Sequence, residues 1–390
     1  MALNNNQVAA VVNAAVAQAT GSELQNLNLQ NIIDTGNDPS IIGTKENFTK
    51  SLCNVIVKNW FTDTAYRSSY NDPWFVDAEE FGAIVQSISI EYPQAQPSHA
   101  WNDFETKITK VGQYDVYIPV VNSQLFGKSI SWEIAITVTD EQWDTAFRNA
   151  SELATFVSYI HMCVDNAIVM HLEELDFANR NNFMAEKIAY ANAHVGEGIH
   201  VVNLVKLYHD EKDASITTKK AFMDSEKCLR FAPTKINEIS TYFTKPSEVF
   251  NTAARKDTFT PKDRQVLQVL TYFENQINSV AMANTFHEEF IKMPGYESVP
   301  YWQGSGKNYS FDDVSTIDIT IDSNGSAIKK SGIVAFLADK WAIMHTIKKR
   351  RTAAKVFEPE GLTNYYNQFR DQYMNNLKMN AVVFTVEDIE

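Results

Sequence analysis

Residues 149–195 read NASELATFVSYIHMCVDNAIVMHLEELDFANRNNFMAEKIAYANAHV, and this stretch decides the fold. Glycine and proline are absent from residues 128–195, so nothing there obliges a helix to break. Apolar residues recur at the three- and four-residue spacing of one helix face: Leu153, Phe156, Val157, Ile160, Val164, Ile168, Leu172, Leu175, Met184 and Ile188. The pattern predicts a single helix of about 40 residues, roughly 60 Å long.

Both ends of this predicted helix carry boundary signals. Asn149 followed by Glu152 matches a capping box, in which the two side chains accept hydrogen bonds from backbone N–H groups of the first turn. Gly196 and Gly198 follow the last apolar residues, and glycine readily adopts the conformation that ends helices. A helix this long is several times the mean for globular proteins. We therefore expect it to be a spine on which the other segments lie.

Composition limits the class of protein. The chain has 390 residues, of which 44% are hydrophobic and 12% aromatic, enough for a packed core in two or three domains. Its net charge of −14 argues against sequence-independent binding of DNA or RNA, which needs a basic face. Cys53, Cys163 and Cys228 lie far apart and form no CxxC motif, so neither a disulfide framework nor a zinc site is predicted.

The first 51 residues are rich in Ala, Asn, Gln and Leu and poor in charge. Val8, Val11 and Val12 place apolar side chains on one side of a helix, and glycines and Pro39 interrupt the rest. We interpret this segment as an arm that finds its partners outside its own core; the alternative is a frayed tail. It lacks the basic start of a secretory signal, and no apolar run reaches the roughly 18 residues of a membrane helix.

A β region follows the arm. Ile88, Ile90 and Tyr92 alternate with polar residues, residues 114–121 form a second predicted strand, and residues 130–138 alternate without error. The connection between the first and third strands contains Trp101 and Phe104 and is long, which is typical of a functional loop or of contact with another chain. Thr139 and Asp140 then predict the cap of a short helix ending at Phe147.

After the spine the pattern predicts a mixed α/β region. Pro233 is expected to break a helix over residues 217–243. The other predicted elements are a strand over 265–273, a helix over 276–290, a loop over 293–306, a hairpin turning at 323–325, an apolar segment over 333–347 broken at 339–340, and a last strand over 381–386.

Motifs for catalysis or metal binding fail in detail. His287-Glu288-Glu289 begins like HExxH, but Ile291 replaces the second histidine. Gly304-Ser305-Gly306-Lys307 imitates the end of a P-loop, but Asn308 stands where Ser or Thr must hold magnesium. The sequence therefore predicts neither an enzyme nor a cofactor. One basic run, Lys348, Lys349, Arg350 and Arg351, is interpreted as a solvated face or as a contact for acidic patches on neighbouring chains.

Three stretches resemble the major capsid proteins of tailed bacteriophages, in particular the short-tailed phages of the phi-29 type. They are NDPWF at 71–75 followed by residues 84–92, residues 139–168, and residues 333–386 with ADKW at 338–341, EPEGL at 358–362 and KMNAVVF at 378–384. The order of elements is similar to the Hong Kong 97 capsid fold: apolar arm, extended β excursion, long helix, mixed insertion, returning strand.

The resemblance implies an α+β fold with four parts. These are an N-terminal arm (1–70), an extended loop with flanking strands (71–138), a peripheral domain with the spine helix and returning strands (139–198 and 355–390), and an axial domain (199–354). It further implies a structural subunit that self-assembles, without catalysis, into an icosahedral head shell enclosing double-stranded DNA. The virion would be assembled in the cytoplasm of a bacterial host.

Partners follow from the same resemblance. Copies of the chain would form pentamers and hexamers, with scaffolding, portal and head-fibre proteins as further partners and only weak, non-specific contact with packaged DNA. The arm and the extended loop would lie on adjacent subunits, so we predict contacts at Val8, Val12, Trp101, Phe104 and the basic run Lys348, Lys349, Arg350 and Arg351. The alternative is a cytosolic helical enzyme or binding protein with a pocket beside the long helix.

Overall fold

The computed structural model describes residues 73–74, 85–92, 118, 120–127, 129–139, 141, 150–252, 257–282, 296–303, 311–321, 325, 327–357 and 361–389. The chain divides into two compact units. One contains Met1–Glu80, Ser129–Ala178 and His345–Tyr373, and the other contains Phe81–Lys128, Asn179–Met344 and Met374–Glu390. We refer to them as unit 1 and unit 2. The four-part division predicted from the sequence stays a prediction.

The described elements run as follows in chain order. The strands are β1 Val85–Ile90, β2 Val121–Phe126, β3 Ile130–Thr139, β4 Val201–Asn203, β5 Gln265–Leu270, β6 Tyr296–Val299, β7 Ile317–Thr320, β8 Ala327–Lys330, β9 Ile333–Asp339, β10 Ile343–Phe357, β11 Leu362–Asn375 and β12 Ala381–Thr385. The helices are α1 Ala150–Ala193, α2 Leu204–Glu211, α3 Lys219–Met223, α4 Glu226–Tyr242, α5 Thr271–Met282 and α6 Phe311–Val314.

The predicted spine is confirmed as α1, a helix of 44 residues. It ends where expected, because Gly196 and Gly198 have positive φ angles of 86° and 93°. The two glycines differ in their surroundings. A Cβ at Gly196 would have nothing within 4 Å, whereas one at Gly198 would lie 2.5 Å from the carbonyl oxygen of Val249.

This difference gives a matched pair of predictions. Gly196→Ala is expected to reduce the free energy of unfolding by about 1–2 kcal/mol, since only the left-handed backbone is strained. Gly198→Ala is expected to reduce it by clearly more, because the new methyl group must also displace the Val249 carbonyl oxygen. Chemical denaturation of dissociated subunits measures both. Equal effects of the two substitutions would contradict the close approach at Gly198.

In unit 1 a three-stranded sheet has the order β10-β11-β3, and β11 pairs with β3 in antiparallel fashion. The alternation predicted over 130–138 is confirmed, because Ile134 and Ile136 lie on one face of β3 and contact the buried Val164 of α1, with Ile168 beside them. Phe369 and Trp132 are partners in the register and stack with ring centroids 4.0 Å apart. Helix α1 therefore supplies the core of this unit together with one face of the sheet.

Unit 2 is built on a five-stranded sheet of order β4-β12-β9-β5-β6. Its inner strands β9 and β12 are buried along their whole length, which fits sequences that are apolar up to the last residue of each strand. Strand β9 ends where the sequence predicted a break. There the buried carboxylate of Asp339 accepts hydrogen bonds from the Thr260 hydroxyl, the Arg264 guanidinium and the Trp341 backbone N–H. The chain is thereby turned away from the sheet.

The hairpin predicted around Gly325 is also confirmed, as β7 and β8.

Three predictions about elements were wrong. Pro233 does not break a helix, since it lies inside α4, and the break falls between α3 and α4. Buried residues Leu229, Ala232 and Ile236 continue the same face on either side of the proline, so packing outweighs the one backbone hydrogen bond that it removes.

The second strand was predicted at 114–121, but Ile118 and Val120 lie outside any strand and β2 begins at Val121. Residues 114–117 and 119 lie outside the described residues. The prediction rested on the β-branched residues of this segment, which favour strands. Pairing with β1 instead forms the strand from the more polar segment that follows.

The predicted loop over 293–306 contains β6, which is held by parallel pairing with β5. Helix α5 also starts earlier than predicted, at Thr271. The predicted arm, the Asn149 cap and most of the short helix ending at Phe147 lie outside the described residues.

Candidate inter-subunit surfaces

Strands β1 and β2 of unit 2 form a two-stranded antiparallel ribbon with an apolar outer face. Ile88 pairs with Ser123, Ile90 with Val121, and Gln86 with Leu125. Side chains alternate between the faces of a strand, so these six residues share one face. Its apolar members are all strongly exposed: Ile88 61%, Ile90 55%, Val121 57% and Leu125 63%.

The opposite face of the ribbon is less exposed and, apart from Phe126 at the end of β2, polar. Ser87 pairs with Gln124, and Ser89 with Asn122. These four side chains are half-buried, and the Asn376 amide donates a hydrogen bond to the Ser87 hydroxyl at 3.3 Å. The usual arrangement of a half-buried strand is thus inverted, with polar residues toward the body of the unit and apolar residues outward.

The sheet of unit 1 presents a second candidate surface, on the face away from α1. Arg351 Nε and Nη2 donate to Gln368 Oε1 at 2.9 and 2.7 Å, and Gln368 Nε2 donates to Glu133 Oε2 at 2.9 Å. Arg370 Nε donates to the Ser129 hydroxyl at 3.0 Å. Each guanidinium is therefore held by a neutral side chain.

The inner face of the same sheet carries the other half of the basic run. Arg350 lies 5.8 Å from the ring centroid of Phe369, on the side of the sheet where Trp132 contacts His171 of α1. Lys348 is half-buried, and its burial together with the nearby charge of Arg370 lowers its pKa below the usual value. Because a strand alternates its side chains, the four consecutive basic residues do not form one surface.

Buried ionisable groups connect α1 to this sheet. His345 Nδ1 lies 2.9 Å from Asp176 Oδ1 of α1, and the His345 ring stacks on Tyr373. The indole N–H of Trp132 donates to Asp371 Oδ2 at 2.6 Å. Burial raises the pKa of Asp371, while that hydrogen bond and the charge of His345 act to lower it. These contacts are compatible with a structural role in fixing the helix against the sheet.

Unit 2 contains a fully buried lysine in the second half of α1. Lys187 is 0% exposed, its ammonium donates to the Phe250 carbonyl oxygen at 2.9 Å, and it lies 5.8 Å from the ring centroid of Phe183. Burial lowers its pKa from 10.5 to about 7. The apolar residues around it gave no sequence signal that this cation would be in the core.

Within the described ranges, no three His, Cys, Asp or Glu side chains are grouped so that they could hold a metal ion. Among the helices of the described part of the chain, none has both the length and the apolar character needed to cross a bilayer.

The predicted contact residues are placed as follows. Lys349 and Arg351 are exposed on the outer face of the unit 1 sheet, whereas Lys348 and Arg350 are half-buried. Val8, Val12, Trp101 and Phe104 lie outside the described residues. Sequence reasoning missed the ribbon's outer face. The signal was present in residues 121–126, VNSQLF, where Val121, Ser123 and Leu125 alternate with Asn122 and Gln124.

Comparison with known proteins agrees with a capsid fold. A capsid structure of Staphylococcus phage Andhra covers 83% of this chain and 85% of its own chain, with a TM-score of 0.52 and 10% sequence identity. A structure of head fiber and inner core protein gp22 of native bacteriophage P68 covers 80% and 82%, with a TM-score of 0.49 and 12% identity. No curated protein matches the chain. The first likeness supports the predicted α+β fold of the Hong Kong 97 type.

The family match is more extensive. The family model described as Phi29-like phage major capsid protein matches residues 8–385, nearly the whole length of the sequence. The apolar, outward-facing ribbon and the long spine helix fall inside the matched range. This chain belongs to the family of Phi29-like phage major capsid proteins.

Proposed function

We propose that copies of this chain build the head shell of a phage by covering the apolar face of the β1–β2 ribbon with a neighbouring copy. The family match supports the shell-forming role. The observation that carries the contact is the inverted ribbon, with Ile88, Ile90, Val121 and Leu125 outward and serine, asparagine and glutamine inward. A face of this kind, left in water, marks a site of protein association.

The energetics favour a repeated contact. Burying the exposed part of each of these aliphatic side chains, a little over half of its surface, contributes about 1–2 kcal/mol. Four of them together offset a substantial part of the entropy lost on association. The ribbon of one subunit and the surface it covers on the next are different patches. Such a heterologous contact, repeated by rotation, closes into rings, and rings of five and six tile a closed shell. Pentamers and hexamers of the chain are therefore the assemblies we propose.

The family match supports the remaining features of the proposal. The arm and the extended loop lie on adjacent subunits, and the four-part division into arm, loop, peripheral and axial domains describes the subunit. The role is structural, with no reaction catalysed. The virion capsid assembles in the host cytoplasm, with scaffolding, portal and head-fibre proteins as further partners. The charge of −14 supports weak, non-specific contact with packaged double-stranded DNA.

Electron microscopy of negatively stained, purified protein tests the proposal directly. We expect shells, or rings of five and six subunits, together with fast sedimentation in the ultracentrifuge. A homogeneous monomer or small oligomer, under all conditions of concentration, salt and added scaffolding protein tried, would contradict it. That outcome would favour instead the alternative of a soluble enzyme or binding protein.

Removing residues 1–34 tests the role assigned to the arm. We expect the shortened chain to fold, as judged by circular dichroism, but to yield no shells, because apolar arm residues such as Val8 and Val12 would bind neighbouring subunits. Sedimentation beside the full-length chain measures the effect. Shell formation by the shortened chain would show that the arm is dispensable while leaving the ribbon contact in place.

A further inference from the structure

The outer face of the β10-β11-β3 sheet carries a stripe of positive charge. Lys349, Arg351 and Lys355 occupy every second or fourth position of β10, so they point to the same side, and Arg370 joins them from β11. All four are exposed. At about 3.3 Å per residue, the stripe extends roughly 20 Å along β10. We call these four residues the basic stripe.

Three of the four cations of the basic stripe are held in place by contacts other than ion pairs with described residues. Gln368 holds Arg351, Ser129 holds Arg370, and the Lys355 ammonium lies 4.9 Å from the ring centroid of Phe357. Among the described residues, no carboxylate lies within ion-pair distance of any of the four. The one acid in this network, Glu133, is engaged by the amide of Gln368. Arginine and lysine side chains fixed in this way lose less entropy on binding an anion.

The charge of the chain itself identifies the partner. With a net charge of −14, the chain without these four cations carries −18, so another copy is a strongly acidic neighbour. The same overall charge disfavours the DNA backbone, because a phosphate polyanion is repelled by the rest of the subunit and by Glu133 on the same face. In a shell every subunit is flanked by copies of itself, so an acidic neighbour is always present.

We propose that the basic stripe binds an acidic segment of a second copy of this chain, and that this contact adds ionic-strength-dependent affinity and orientation to shell assembly. The inference rests on the proposed function. It differs from the ribbon contact in chemistry, because apolar burial is little affected by moderate salt, whereas exposed ion pairs are screened within about 10 Å at 0.1 M salt. Of the four basic residues that the sequence predicted as contacts, only Lys349 and Arg351 belong to the basic stripe. Lys355 and Arg370 are additional members that the sequence did not indicate.

Zero-length cross-linking of assembled wild-type protein tests the contact without any substitution. A carbodiimide joins a lysine amine to a carboxylate only where the two touch. Shells built from equal amounts of ¹⁵N-labelled and unlabelled chain distinguish bonds between copies from bonds within one copy. We expect mixed-label cross-links from Lys349 or Lys355 to Asp or Glu. The absence of mixed-label cross-links at both lysines, with such links present elsewhere in the shell, would overturn the proposal.

Charge reversal supplies the functional test. The triple variant Lys349→Glu/Arg351→Glu/Lys355→Glu should reduce the yield of shells at 0.1 M NaCl at least tenfold, with an unchanged circular dichroism spectrum. Arg351→Gln should reduce it less. Lys329→Glu, a single charge reversal at an exposed residue of the unit 2 hairpin, controls for added negative charge away from the stripe and should assemble like wild type.

The outcomes separate this inference from the proposed function. Normal assembly of the folded triple variant would contradict the role proposed for the basic stripe and leave the shell-forming role intact. Failure of the wild-type chain to assemble would contradict both the stripe contact and the shell-forming role. Binding to a 30-base-pair DNA duplex is measured alongside, by fluorescence anisotropy at 0.1 M NaCl. Loss of wild-type DNA binding in the triple variant, with normal assembly, would assign the stripe to phosphate instead.

Discussion

The double variant Ile88→Asp/Ile90→Asp should fold normally and form no shells. Both isoleucines are mostly exposed in the subunit, at 61% and 55%, so their replacement removes little internal packing. In the assembled contact each substitution would remove about 1–2 kcal/mol of apolar burial and would leave a carboxylate without water or a counter-charge. Because the contact recurs at every subunit, the losses accumulate over the whole lattice. Sedimentation and electron microscopy measure the yield of shells, which we expect to be below detection.

Controls for this prediction come from the same chain. Ile88→Val/Ile90→Val keeps the apolar face and should assemble. Met170→Asp/Val195→Asp introduces the same charge at apolar residues that are exposed elsewhere, at 63% and 87%, and should reduce assembly far less. A thermal unfolding midpoint near that of wild type establishes that the ribbon variant is folded. Shells of normal yield from the folded ribbon variant would show that a neighbouring copy does not cover this face.

Lys187→Met is expected to stabilise the subunit at neutral and acidic pH. The lysine is fully buried, and a pKa lowered from 10.5 to about 7 corresponds to about 5 kcal/mol of unfavourable interaction for the charged amine. Methionine fills a similar volume without a charge. The Phe250 carbonyl oxygen loses its donor, which offsets the gain by about 1–3 kcal/mol. We therefore expect the free energy of unfolding at pH 6.5 to rise by about 2–4 kcal/mol.

The pH dependence follows from the same shift. Between about pH 7 and pH 10.5 the folded chain binds fewer protons at Lys187 than the unfolded chain does, so the free energy of unfolding of wild type rises with pH over that window. Below about pH 7 both states are protonated and the full penalty is present. The advantage of Lys187→Met should therefore be largest below pH 7 and shrink toward pH 10.

Urea denaturation of dissociated subunits at several pH values measures the difference between the two proteins. The exposed Lys329→Met variant controls for the loss of one positive charge. A constant difference between wild type and Lys187→Met from pH 6 to pH 10 would show that burial does not lower the pKa of Lys187. A destabilised variant at pH 6.5 would show that the hydrogen bond to Phe250 outweighs the burial of charge.

Elements with strong, local patterns were predictable. The spine required only an uninterrupted helical period and two glycines, and β3 required only a clean alternation, so α1 and β3 appear where the sequence indicated them. The family resemblance was carried by stretches of this kind and is confirmed by the family match. Elements selected by pairing were not predictable. Strands β2 and β6 have weak propensity of their own and are ordered by β1 and β5, and Pro233 stays in α4 because its neighbours are buried.

The sequence by itself determined the long helix, the mixed α+β character and the capsid family, because hydrophobic periodicity and the order of elements can be read directly from the amino-acid sequence. Only the tertiary structure decided which face of each strand is exposed to solvent. A strand's pattern shows that its two faces differ, but the packing of other elements selects the face that is covered. That selection turned the apolar side of the ribbon outward, divided the basic run between two faces of a sheet and placed Lys187 in the core.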